Sequence, residues 1–281
     1  MIQTISVNIT EKCNLRCKGC YSHKSEKTMS FKDYKLIMKK FPIKNIFVNI
    51  TGGEPFLHKE LYKIAEYTHS WFKSPIIFTS GTITNTKFLK KLKKVVLGFA
   101  LTIKYPNNSL DSEFRGFKNS FEKSYYFYKK CKSLGIPVAI HFALDKGNIE
   151  YADKMYYLFG RELNIIRYLP YNKELEDLAL SDKEWNRFCK KAKELYPKAR
   201  IIFLSKYSEE KQCLAGLTRM NILVNGDVTP CVFIPNLVFG NLIKEDFVTV
   251  YNRMKNWRKK SILKDALFPK CKAIEVLRKN A

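Results

Sequence analysis

The apolar residues of the first two thirds of the chain keep two periods in turn. Short β-branched runs at 2–9 (IQTISVNI), 45–51 (NIFVNIT), 75–80 (PIIFTS), 95–103 (VVLGFALTI), 136–144 (IPVAIHFAL) and 163–169 (LNIIRYL) read as strands. Each is followed by a stretch with helical spacing, at 30–41, 58–72, 85–94, 120–135, 148–160 and 181–196. In 58–72 the stripe is Leu61, Ile64, Ala65 and Phe72. Ser30 and Ser181 can cap helix starts with a side-chain oxygen, and Gly135 can end a helix. Six strand-then-helix units in a row predict parallel strands joined by right-handed crossovers, in a βα barrel or a doubly wound sheet. After about residue 200 the alternation stops. A hairpin is predicted around Asn225-Gly226, and a helix from Phe247 onward. No internal repeat or low-complexity segment is apparent.

Composition adds a large core. Of the 281 residues, 46% are hydrophobic and 14% aromatic, which argues against disorder. The N-terminus lacks the basic-then-apolar pattern of a signal peptide, and no window has the length of uncharged apolar sequence a membrane span needs. A cytoplasmic protein is expected, and there eight cysteines point to metal ligation or catalysis before disulfides. The net charge of +25 is spread along the chain. It suits a solvated lysine-rich surface, a nucleic acid, an anionic small substrate or an acidic electron-transfer protein, and composition does not choose among them. No zinc-finger pattern or RNA-binding aromatic signature is present.

Chemistry enters with "CNLRCKGCY". Cys13, Cys17 and Cys20 follow the first strand, at the carboxyl end where βα barrels carry their sites. Three thiolates at this spacing can ligate three irons of a [4Fe–4S] cube and leave the fourth open. Zinc is the rival, with His23 as a fourth ligand. After the second strand, "TGGEP" sets Gly52 and Gly53, where a backbone can approach a ligand closely, beside the Glu54 carboxylate and the stiff Pro55. Such a turn suits an ammonium group.

Together these stretches resemble the radical S-adenosylmethionine (radical SAM) enzymes, "CNLRCKGCY" matching the cluster loop and "TGGEP" the methionine-binding turn. The resemblance implies a partial (β/α)6 TIM-like barrel. It implies that S-adenosylmethionine (SAM) chelates the open iron and that an electron from the cluster yields a 5′-deoxyadenosyl radical, which abstracts hydrogen from the substrate. It also nominates Ser80 and Gly81 in "FTSGT", Thr102 and Lys104 in "LTIKY", and His141 and Asn148 in "IHFALDKGN" as cofactor-binding residues. One departure is position 19. The family often has an aromatic residue there, packed on adenine; this chain has Gly19, and Tyr21 or another side chain is expected to take over.

Cys213, Cys231 and Cys271 form a second constellation. "CLAGLTRMNILVNGDVTPC" and the later cysteine resemble the SPASM/Twitch extension of radical SAM proteins, closer to the shorter Twitch form, and imply an auxiliary [4Fe–4S] cluster. Cys131 and Cys189, on predicted helices, read as buried thiols, with Cys189 the one further ligand to consider. The expected division is a barrel over 1–200 and an auxiliary-cluster domain over 201–281. The expected activity is SAM cleavage and hydrogen abstraction, from a peptide or protein first, with a cofactor precursor or an RNA as alternatives because no peptide-binding domain is read ahead of the barrel. Reduced ferredoxin or flavodoxin is the expected electron donor, and no membrane is expected as a partner. From other classes, an Fe–S electron carrier and a zinc-stabilised nucleic-acid-binding protein remain.

Overall fold

The computed structural model describes residues 2–22, 24–170, 173–202 and 213–260. The six predicted units are present: β1 (Thr4–Thr10), α1 (Phe31–Lys39), β2 (Phe47–Gly52), α2 (Leu61–Trp71), β3 (Ile76–Thr79), α3 (Thr86–Leu92), β4 (Gly98–Thr102), α4 (Asn108–Arg115), α5 (Ser120–Ser133), β5 (Val138–Leu144), α6 (Ala152–Phe159), β6 (Leu163–Arg167) and α7 (Asp182–Leu195). Ser30 caps α1 by accepting from the Asp33 N–H at 3.0 Å, and Ser181 forms a full capping box with Glu184 on α7. Helix α4 is not among the predicted elements. Its segment carries only Leu110 and Phe114 as apolar residues, too few to show a period, but Asn107 caps its start and Gly116 ends it.

The strands form one sheet in the order β7-β6-β5-β4-β3-β2-β1-β8-β9, where β7 is Arg200–Ile202, β8 Arg219–Ile222 and β9 Val228–Thr229. Every pairing is parallel except the β8–β9 hairpin. The sheet thus continues past residue 200 on both edges, and β8 lies directly beside β1. Helix α8 (Phe247–Lys260) follows the hairpin, and its Phe247, Val250 and Met254 join the main core. The architecture is a partial barrel of parallel strands with helices outside.

The two sheet faces differ. Along β1, Ile5, Val7 and Ile9 are buried with the helices, while Thr4, Ser6 and Asn8 alternate with them and are half-buried. The register carries this alternation across the sheet: Ser6 pairs with Asn49 and Asn221, and His141 pairs with Thr102 and Asn164. A closed barrel fills its interior with branched apolar side chains. This inner face is instead mixed: Ile76, Phe78, Ile166 and Ile202 share it with amides, hydroxyls, His141, Arg200 and Arg219, and among the described strands it carries no Asp or Glu. No helix of the described residues is long and apolar enough to cross a membrane.

Candidate active site

The cysteine loop leaves the carboxyl end of β1 and is held on both sides by backbone. On one side lies the glycine turn after β2. The Gly53 N–H bonds the Thr10 carbonyl at 2.7 Å, and the Glu54 N–H bonds that of Lys12 at 2.7 Å. A Cβ on Gly52 would run into the Thr10 carbonyl and one on Gly53 into the Lys12 carbonyl, so the turn is bare because the cysteine loop lies on it. With those N–H groups spent, the turn can offer a bound ammonium its carbonyl oxygens. On the other side lies the end of α4. The last carbonyls of a helix lack intrahelical partners; here Phe114 accepts from Lys18 N–H at 2.8 Å and Arg115 from Arg16 N–H at 2.9 Å.

Polar side chains join the loop to β2 and β3. Glu54 is fully buried, and its carboxylate accepts from Phe56 N–H (3.1 Å), the Thr79 hydroxyl (2.8 Å), Ser80 N–H (2.8 Å) and the Ser80 hydroxyl (2.6 Å). The Ser80 and Thr82 hydroxyls lie 2.8 Å apart, and Asn14 of the cysteine loop donates to Thr82 at 2.9 Å. The Asn14 Oδ1 is buried with no hydrogen-bond partner among the described residues. Arg115 is buried and donates to Asp111 (3.2 Å), Ser124 (2.9 Å) and the Ser80 carbonyl (2.9 Å).

Burial pushes the Cys17 thiol up to about 11; the Arg115 guanidinium opposes this, and the charges of Cys20 and Cys13 add to it. The Cys13 thiol is also raised, chiefly by burial, against the pull of a hydrogen bond from Leu15 N–H. The three sulfurs therefore sit within reach of one another's charge, and a metal centre would have to displace their protons. Among the described residues no three His, Cys, Asp or Glu side chains converge on a single ion. His23 lies outside the described residues. Three neighbouring thiols on one loop are the donor set of a cluster bound with an iron left for a second ligand.

The other predicted residues divide. Ser80 is in the Glu54 network. Gly81, just beyond it, is buried against Leu101 and Ser124. Thr102 and His141 face the lumen in one register row, with the imidazole edge-on to Phe78 at 5.4 Å. Burial, then the Arg200 charge, lowers the His141 pKa to about 4, so the ring is neutral. Lys104 and Asn148 are buried in a brace between β4 and β5. The Lys104 ammonium pairs with Asp145 and donates to the Ala143 carbonyl at 3.0 Å; burial lowers its pKa and Asp145 opposes the shift. Asn148 donates to the Ala143 and Lys104 carbonyls at 2.9 and 3.2 Å. Asn14, Thr79, Thr82, Asp111 and Arg115 are not among the predicted site residues. The Asp111–Arg115 spacing, one helical turn inside an Asn107-to-Gly116 frame, is the signal that could have found α4 and its arginine.

In the C-terminal region the hairpin brings Cys213 and Cys231 into one small apolar cluster with Ala215, Phe233, Ile234 and Trp257. Cys131 and Cys189 are fully buried in the separate main core, as buried thiols would be. Cys271 lies outside the described residues. Tyr21, next to Cys20, packs edge-on against Phe233 at 5.2 Å. Its phenol pKa is raised, first by desolvation and then by the charges of Cys20 and Cys231, so the two cysteine groups meet at this ring.

The family model of the Radical SAM superfamily matches residues 7–157, and that of the SPASM iron–sulfur cluster-binding domain matches residues 213–273. The chain belongs to the radical SAM superfamily. Membership brings a [4Fe–4S] cluster and SAM, and the second match brings a further iron–sulfur cluster. Fe-coproporphyrin III synthase of Methanosarcina barkeri is 28% identical over 147 residues, 50% of this chain and 37% of that protein. The antilisterial bacteriocin subtilosin biosynthesis protein AlbA of Bacillus subtilis is 26% identical over 269 residues, 87% of this chain and 58% of that protein. The chain thus spans less than two thirds of either relative. The crystal structure of Streptococcus suis SuiB bound to precursor peptide SuiA matches with a TM-score of 0.80 at 15% identity, covering 98% of this chain and 73% of that one, a likeness of fold.

Proposed function

We propose that this chain is a radical SAM enzyme that modifies a peptide or protein by hydrogen-atom abstraction. The observation that carries the reading is the seating of Cys13, Cys17 and Cys20 between the glycine turn and the end of α4, at the carboxyl end of β1. In this reading the three thiolates hold the catalytic cluster, and the carbonyls of Gly52 and Gly53 receive the ammonium of SAM. Glu54 and Ser80 fix that turn against β3, and Arg115 sets a positive charge beside the anionic cluster. Lys104 and Asn148 hold the ends of β4 and β5 at their spacing, and Thr102 and His141 present polar groups to the lumen. Bound there, the cluster would supply one-electron reduction of SAM and so the radical chemistry of hydrogen-atom abstraction. Cys213, Cys231 and Cys271 hold the auxiliary cluster.

A peptide substrate is supported by the similarity to AlbA, a bacteriocin biosynthesis protein, and by the fold shared with SuiB in complex with its precursor peptide. A cofactor precursor is the second reading. It is favoured by the similarity to Fe-coproporphyrin III synthase. Reduced ferredoxin or flavodoxin, both acidic, would suit the +25 surface as electron donor. The test is anaerobic reconstitution followed by reduction in the presence of SAM. Wild-type protein is expected to release 5′-deoxyadenosine, and Cys17→Ala to release none while keeping its circular dichroism. Full cleavage by Cys17→Ala would overturn the assignment.

A further inference from the structure

At the amino-terminal ends of β5, β6 and β7 lies a cavity of about 440 Å³, a volume typical of small-molecule sites. These strands run parallel to β1, so the cavity is at the opposite end of the barrel from the cysteine loop. Its cations are Lys132 near the end of α5, Arg161 on the turn before β6, and Arg200 at the start of β7. Glu162 is the one carboxylate of the lining, and it is already engaged: it accepts from Lys132 and lies 3.5 Å from the Arg161 Nε. Three cations against one carboxylate leave an excess of two positive charges. Asn164 adds a fixed polar point. It stands between His141 and Arg200 in one register row of the inner face and is only 6% exposed. Its side-chain amide lines the cavity and makes no hydrogen bond among the described residues.

A buried amide left without a partner costs about 1–3 kcal/mol, so an acceptor supplied by a bound molecule removes a standing penalty. A guanidinium meets a phosphate or a carboxylate through paired N–H donors. The excess of two charges decides between them: a phosphate monoester carries close to two negative charges at neutral pH, and a carboxylate carries one. The remaining wall is apolar, formed by Ile136, Pro137 and Val138 where the chain enters β5. It offers contact to a carbon skeleton, which inorganic phosphate lacks. We propose that this cavity binds a small phosphate monoester, with Arg161, Arg200 and Asn164 donating to the phosphoryl oxygens and the entry to β5 packed on the organic part. The site is separate from the one that seats the cysteine loop, and it stands independently of the proposed function.

The experiment titrates the reconstituted full chain with phenyl phosphate and with inorganic phosphate by calorimetry. Salt at about 0.15 M screens non-specific attraction to the +25 surface. One phenyl phosphate per chain is expected, bound more tightly than inorganic phosphate. Arg200→Gln and Arg161→Gln are each expected to weaken it about tenfold, the loss of one charged hydrogen bond. Arg161 is largely exposed, so its variant keeps the test open where Arg200→Gln disturbs the fold. A control lacking two exposed charges of α8, Lys255→Gln with Lys259→Gln, is expected to bind as wild type does. Absence of binding at millimolar phenyl phosphate, equal affinity for the two probes, or an equal loss in the lysine control and the arginine variants would each overturn the site.

Discussion

Glu54 has no exposed surface, and its carboxylate accepts four hydrogen bonds, two from main-chain N–H groups and two from hydroxyls. All four donors come from its own turn or from the end of β3, so the side chain is committed before any cofactor arrives. Glu54→Gln turns an NH2 toward donors that need an acceptor. The metal-free chain is expected to lose about 1.5–3 kcal/mol in urea unfolding, whether or not SAM is present. An unchanged unfolding midpoint would show that the carboxylate serves the ligand alone. In the sequence, a carboxylate after two glycines is visible. Its donors at Thr79 and Ser80, some 25 residues away, are set only by the pairing of β2 with β3.

At the scale of elements, α4 is the part that sequence patterning misses and the site requires. Its last carbonyls would be orphaned in isolation, and the cysteine loop satisfies two of them through Arg16 and Lys18. Gly116 closes the helix at φ +58°, with space for a Cβ limited by the Arg16 backbone. Gly116→Ala is expected to cost about 1–2 kcal/mol and to loosen the loop. The reconstituted variant should release iron to a chelator faster than wild type at equal protein concentration. Equal release rates would mean that α4 does not hold the loop. The surrounding strands and the helices α1, α5 and α7 are legible in advance because their apolar periods are long and regular, and Ser30 and Ser181 mark two starts.

Across the whole molecule, the two cysteine groups converge at one aromatic contact. Tyr21 feels the charge of both Cys20 and Cys231, and its ring packs on Phe233. Parallel pairing of β8 with β1 makes this possible, since it places the hairpin that carries Cys231 beside the strand that leads to Cys13. Two clusters on one chain predict about eight irons after reconstitution. Cys231→Ala is expected to lower that to about four and to leave SAM binding in place. Unchanged iron would remove the auxiliary centre from the C-terminal region, and loss of all iron would show that the two centres assemble as one unit.

What the sequence determines by itself is local: the alternation of strand and helix, three thiols within eight residues of one loop, the bare glycine turn, and the hairpin around Gly226. Each of these follows from the chemistry of residues close together in the chain. Tertiary structure decides what those residues meet. It brings His141 and Asn164 together on the inner sheet face, saturates Glu54 from β3, buries Lys104 against Asp145, and sets the Tyr168 hydroxyl over Gly19. Those contacts depend on strand register and on the closure of a sheet whose neighbours are far apart in sequence, and no local period records them.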